Sequence, residues 1–193
     1  MRSLSYIVGL CVFAGSASAQ ILWDEGVSGG LSSDPMAPTP VTLSLGSNLL
    51  TGTMGTPDKG DYLALTIPAG WSLNGPLILE YVDIPTGGPG STGFHAMNAD
   101  PTSHIPGPAA AGLFMGGDRL ITHPAGTDML PMLAAAPLAS TGFSVPLRPG
   151  TYTYLVQQTG PDQTAYSLDL VVIPAPTAGL VLIGGVALTR RHR

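Results

Sequence analysis

Cysteine is almost missing from this chain: one occurs in 193 residues, Cys11, and it sits inside an apolar run at the amino terminus. A chain that starts after that run has no thiol, which excludes a disulfide framework and any cysteine-held metal. Charge is scarce as well. Charged residues make up 10% of the sequence, against roughly 25% in ordinary soluble domains. A hydrophobic content of 44% nevertheless excludes the polar, highly charged composition of a disordered chain. Basic residues are the scarcest kind in the middle. From Gln20 to Ile173 only Lys59, Arg119 and Arg148 stand against all twelve acids, three against twelve or −9. Such a surface repels phosphate backbones, so no nucleic-acid partner is expected. Sustained helical periodicity is also missing outside the two ends. What is plentiful is glycine (26) and proline (19), which disfavour long helices and multiply turns.

The two ends carry addresses. Met1-Arg2 is a short positive start, Tyr6 to Ala14 is apolar, and Ala17 and Ala19 place small residues at −3 and −1 before Gln20. Charge, apolar core and small-residue cleavage site are the three parts of a secretory signal peptide. Residues 1–19 are therefore expected to be removed by signal peptidase, leaving Gln20 first. Cys11 follows Val8-Gly9-Leu10 and lacks the small residue that directly precedes a lipidated cysteine. At the other end Ile173-Pro174-Ala175-Pro176 leads into an apolar stretch, Thr177 to Leu188, and the chain stops at Arg190-Arg191-His192-Arg193. About a dozen apolar residues fall short of the roughly 17–25 of a stable span. The basic terminus would stay cytoplasmic, leaving the domain outside. A tail held only transiently by the membrane is the expectation.

That terminus resembles the PEP-CTERM sorting signals of bacteria, in which a Pro-x-Pro motif precedes a short apolar helix and an arginine cluster. Pro174, Ala175 and Pro176 stand for the motif, with Ala175 where glutamate is usual, and Arg190, Arg191 and Arg193 for the cluster. The resemblance implies that an exosortase-like membrane peptidase cuts near Pro174–Pro176. Residues 174–193 would then be a sorting signal and residues 20–173 the mature domain. The protein would pass through the inner membrane to the cell envelope or extracellular matrix, where extracellular polysaccharide is a candidate partner.

Between the ends, short runs of alternating apolar residues are bounded by Gly, Pro, Asn or Asp, the mark of strands. Val41 to Leu45, Leu49 to Met54, Tyr62 to Ile67 and Leu77 to Ile84 are predicted strands, the last with Leu77, Leu79 and Tyr81 on one face. Gly93 to Met97 and Leu113 to Met115 are weaker ones. Thr151 to Gln158 and Tyr166 to Val172, joined through Thr159-Gly160-Pro161-Asp162, read as an antiparallel hairpin. By period two, Tyr152, Tyr154 and Val156 share one face, while Thr151, Thr153, Leu155 and Gln157 share the other, more exposed one. Pro85 to Pro108 is expected to be largely loop. The fold class that follows is all-β, an antiparallel sandwich or jelly-roll, flanked by a signal helix and a short apolar C-terminal helix. Asp61-Tyr62-Leu63-Ala64-Leu65-Thr66-Ile67-Pro68-Ala69-Gly70 is similar to a strand and turn of bacterial pre-peptidase C-terminal domains. Pro149-Gly150-Thr151-Tyr152-Thr153-Tyr154 with Tyr166-Ser167-Leu168 resembles their closing hairpin. The resemblance implies a non-catalytic accessory module.

Motifs of chemistry lack their context. Gly26-Val27-Ser28-Gly29-Gly30 fits G-x-S-x-G without the buried strand and helix of a nucleophile elbow. Gly88 to Gly93 fits G-x-G-x-x-G without a βαβ unit. His95, His104 and His123 have no metal spacing and are expected at the surface or in loops. Asp58 and Asp61, with Asp118 or Asp128, are the candidate calcium ligands; the plainer reading of Asp58-Lys59-Gly60-Asp61 is a polar turn. Glu80 and Asp83, three apart on a strand, face opposite ways and make no acid pair. Met129 to Ala134 is expected to pack rather than bind, and Trp23 and Trp71 to anchor the core. The expectation is a non-enzymatic envelope or matrix protein with no cofactor, or alternatively a glycan- or calcium-binding module.

Overall fold

Strands form where apolar residues alternate, and each alternation marks a face that needs a partner. The computed structural model describes residues 19–55, 59–84, 93–99, 114–120, 123–135, 140–158 and 160–175. Its strands are β1 (Gln20–Asp24), β2 (Thr39–Thr42), β3 (Asn48–Met54), β4 (Gly60–Ile67), β5 (Trp71–Leu73), β6 (Leu77–Ile84), β7 (Phe94–Asn98), β8 (Gly116–Arg119), β9 (Gly150–Gln157), β10 (Gln163–Asp169) and β11 (Val172–Pro174). Two short helices accompany them, α1 (Glu25–Ser28) and α2 (Leu130–Ala134). The described part of the chain is mostly β-strand, with these two short helices. Residues 1–18 of the signal segment and the tail beyond Ala175, with His104, Asp58 and most of the Pro85 to Pro108 stretch, lie outside the described residues.

A four-stranded sheet has the order β1-β3-β10-β6, a five-stranded sheet the order β2-β4-β9-β7-β8, and β11 pairs with β5. The inner faces of the two large sheets share one core. Leu50, Met54, Ile78, Tyr166 and Leu168 come from the first, and Leu63, Leu65, Ile67, Met97, Tyr154 and Val156 from the second. Each such buried side chain contributes about 1.5–3 kcal/mol relative to exposure. Met129, Leu130 and Leu133 are buried in the same structure, so the apolar run around α2 packs as expected. Gly116 on β8 admits it closely, because a β-carbon there would collide with the Leu133 carbonyl. Trp23 and Trp71 are half-buried against the core.

The pairing corrects three expectations. The sheets are mixed, since β1 runs parallel to β3 and β2 parallel to β4. The first four strands alternate between sheets, and two reversals restore a strand's direction. The expected closing hairpin does not form. β9 pairs with β4 and β7, whereas β10 pairs with β3 and β6. The chain crosses from one sheet to the other between them, and buried Gln158 donates to buried Thr164 across that crossing at 2.9 Å. The second face of β9 is not exposed either. Thr153 and Leu155 are buried, because Tyr62, Ala96 and Phe114 form a smaller cluster with Leu155, and Phe94 packs on it.

Finer shifts have local causes. β2 starts at Thr39 and ends at Thr42, after which Leu43 N–H bonds the Thr66 carbonyl outside the ladder. In β6 the register slips between Ile78 and Glu80, so Leu79 is exposed and the expected alternation of Leu77, Leu79 and Tyr81 breaks. The weak strand expected at Leu113 to Met115 is found just downstream, as β8.

Candidate functional site

The outward face of the four-stranded sheet holds a concave site. In β3, Leu50, Gly52 and Met54 point inward, and period two turns Thr51 and Thr53 outward. In β10, Ala165 and Ser167 alternate in the same way with Thr164, Tyr166 and Leu168. Glu80 on β6 is exposed and stands opposite Ser167 in the register. Asp24 and Glu25, where β1 passes into α1, complete an open pocket of about 430 Å³. Its lining mixes carboxylates and hydroxyls with Gly26, Gly52 and Ala165, and holds neither a lysine nor an arginine.

Two of the three carboxylates are already engaged. Asp24 is the N-cap of α1, and its Oδ1 accepts the Gly26 N–H at 2.9 Å, an ordinary capping bond. Glu25 Oε1 accepts the Leu31 N–H at 2.9 Å, and Oε2 accepts the Thr53 N–H at 2.6 Å and the Thr53 hydroxyl at 3.3 Å. Glu25 thus ties the segment after β1 to the outer edge of β3. Glu80 and the Ser167 and Thr51 side chains are the groups best placed to meet a ligand. Among the described residues no three of His, Cys, Asp or Glu gather to hold a metal ion.

A second polar group lies between the sheets. Asp61 on β4 is buried and accepts the Tyr166 hydroxyl at 2.7 Å. His95 on β7 is buried as well, with Nδ1 2.8 Å from the Tyr154 hydroxyl and the two rings edge to face. Its Nε2 has no hydrogen-bond partner among the described residues. Burial, with a smaller contribution from His123, pushes the His95 pKa down to about 3. Burial likewise raises Tyr154, and burial followed by the Asp61 charge raises Tyr166 well above the usual tyrosine value. These side chains are buried, and their bonds are ties of the fold.

The sequence placed several of these residues wrongly. His95 is a core residue of a strand, and Asp61 is no polar turn but the inward start of β4. The run Phe94 to Met97 around His95 is apolar enough to bury it, and Asp61 continues the inward alternation of Leu63, Leu65 and Ile67. Asp118 is paired at 3.2 Å with His123, and Asp128 accepts the Leu130 N–H at 3.0 Å. Asp61, Asp118 and Asp128 form no common ligand set. Ser28 ends the single turn α1 and is exposed, whereas an elbow holds its serine at the junction of strand and helix. Of the sorting and cleavage residues, Ala19, Gln20, Pro174 and Ala175 are described, while Ala17, Pro176, Arg190, Arg191 and Arg193 lie outside. Among the described residues no helix is long and apolar enough to cross a membrane.

Comparison with known proteins finds no family model that matches the chain, no similar curated protein and no similar solved structure.

Proposed function

We propose that the chain is an exported, non-enzymatic protein of the cell envelope or extracellular matrix. In this reading signal peptidase removes residues 1–19 and an exosortase-like peptidase removes the tail, leaving a β-sandwich akin to a pre-peptidase C-terminal domain. One observation carries it. A positive start and an apolar run close on Ala17 and Ala19 before Gln20, and Pro174-Ala175-Pro176 opens an apolar stretch that leads to Arg190, Arg191 and Arg193. Each end thus carries an address in its composition and order, which supports export followed by removal of both segments. Terminal-peptide mass spectrometry on protein from its own cells tests this. Peptides that start at Gln20 and end close to Pro176 are expected; a chain with Met1 and Arg193 both intact would sink the proposal.

The pocket favours a second reading, a glycan-binding module. Thr51, Ser167 and Glu80 offer hydroxyls and a carboxylate in one concavity, the groups that bond sugar hydroxyls. The absence of cations from its lining favours neutral over acidic polysaccharide. Calcium wants several oxygens at once, and the N–H bonds already made by Asp24 and Glu25 favour sugar over ion. Titration with neutral oligosaccharides and, separately, calcium distinguishes them. Binding lost in Glu80→Ala and Ser167→Ala supports the glycan reading, and equal binding by the variants removes the pocket from it.

A further inference from the structure

The two sides of β11 bear on where the tail can be cut. Its register sets Val172 against Leu73, Ile173 against Ser72 and Pro174 against Trp71. On its other side, Val172 exchanges two backbone bonds with Gly46, at 2.8 and 2.9 Å. The Asn74 N–H bonds the Val171 carbonyl at 2.8 Å, and the Ala175 N–H bonds the Gly70 carbonyl at 2.8 Å. Val172 is buried in the main core. The segment from Val171 to Ala175 is therefore stitched to the body along its β5 edge, and at Val172 on the other edge as well.

A peptidase holds its substrate as an extended strand and needs the backbone groups that a sheet would otherwise use. A strand whose backbone groups are already bonded to a neighbour cannot offer them unless it first peels away, at the free energy of that local opening. We infer that β11 sets the upstream limit of processing: on the folded protein, Ala175–Pro176 is the earliest peptide bond that can be cut. This inference rests on the tail being removed, as proposed above. Cleavage breaks one peptide bond, with water adding hydroxyl to the acyl carbon and hydrogen to the released nitrogen. The mature chain keeps Pro174 and Ala175. Two of the three residues of the Pro-x-Pro motif are then held by the fold, and a processing enzyme meets the motif at the end of β11.

The experiment uses the full chain, folded in detergent micelles and digested with proteinase K. The C-terminal residue of the resistant core is read by mass spectrometry. A core that ends at Ala175 or later is expected, and one that ends at Pro174 or earlier with its β-sheet circular dichroism intact overturns the limit. Val172→Ala and Val172→Asn loosen β11 in increasing degree, and each should move the end upstream, the second further. No movement in either would also overturn it. Protein from its own cells supplies the other arm. An end at Ala175 or later supports the limit, and an end at Pro174 or earlier counts against it. A chain still ending in Arg193 defeats the processing proposal, while the proteinase K result still decides the limit, so the two failures are separable.

Discussion

The Tyr166 hydroxyl on β10 donates to the Asp61 carboxylate on β4 at 2.7 Å, and this buried bond links the four-stranded sheet to the five-stranded one. Removing the donor leaves a carboxylate oxygen without it in the interior, which costs about 1–3 kcal/mol. Tyr166→Phe is expected to lower the unfolding free energy by that amount, read as a lower urea midpoint with an unchanged slope.

The same tyrosines make the fold sensitive to alkali. Tyr154 and Tyr166 ionise only above the ordinary value of 10.0, chiefly through burial. The unfolded chain releases those protons near pH 10 while the folded chain keeps them, so their contribution is whole below pH 10 and falls as pH rises beyond it. Urea midpoints taken on either side of pH 10 should drop steeply on the alkaline side, and less steeply in Tyr166→Phe.

His95 acts in the opposite direction of pH. Its folded pKa of about 3 lies below the unfolded 6.5, so the unfolded state binds the extra proton. Stability from this group is complete above pH 6.5 and is lost as pH falls toward 3. His95→Gln, which cannot take up that proton, should flatten the acid limb of a stability-against-pH curve. An equally steep limb in the variant would place the acid sensitivity elsewhere.

Gly52 stands opposite Tyr166 in the β3–β10 register, and a β-carbon there would lie 2.5 Å from the Tyr166 hydroxyl oxygen. Gly52→Ala must displace the ring from Asp61, with an overpacking cost of about 1–3 kcal/mol. The double variant with Tyr166→Phe should be less destabilised than the sum of the two, because both remove the same bond. A thermodynamic cycle by urea denaturation reads the coupling.

Asn48, fully buried at the start of β3, donates from Nδ2 to the Ser44, Gly46 and Leu170 carbonyls and accepts the Ser44 N–H at 2.7 Å. Asn48→Asp sets an acceptor against three acceptors, whereas Asn48→Ala only removes the donor. Each should cost at least about 1–3 kcal/mol, and the aspartate variant should melt lower than the alanine one at neutral pH.

The longer strands were legible because their alternation is unbroken: β3, β4 and β6 appear within two residues of their predicted bounds, and Tyr154 and Val156 do face the core. Partners were not legible. Alternation states which face is buried but not which strand lies alongside, so β9 and β10, close in sequence, looked like one hairpin. β5 and β11, three residues each, are too short to show a period, and β1 has no fully buried residue. The pocket draws on β1, α1, β3, β6 and β10, and only the outward turn of Thr51 and Thr53 could be read locally.

Both large sheets take interior strands from the last third of the chain, β10 lying between β3 and β6 and β9 between β4 and β7. Contacts of such long sequence separation place the domain among slow folders. A chain synthesised from its amino end can join β1 to β3 and β2 to β4, but it closes neither sheet until the residues after Gly150 arrive. Until then its apolar strands lack their neighbours, and it is β9 and β10, late in the chain, that complete the two large sheets.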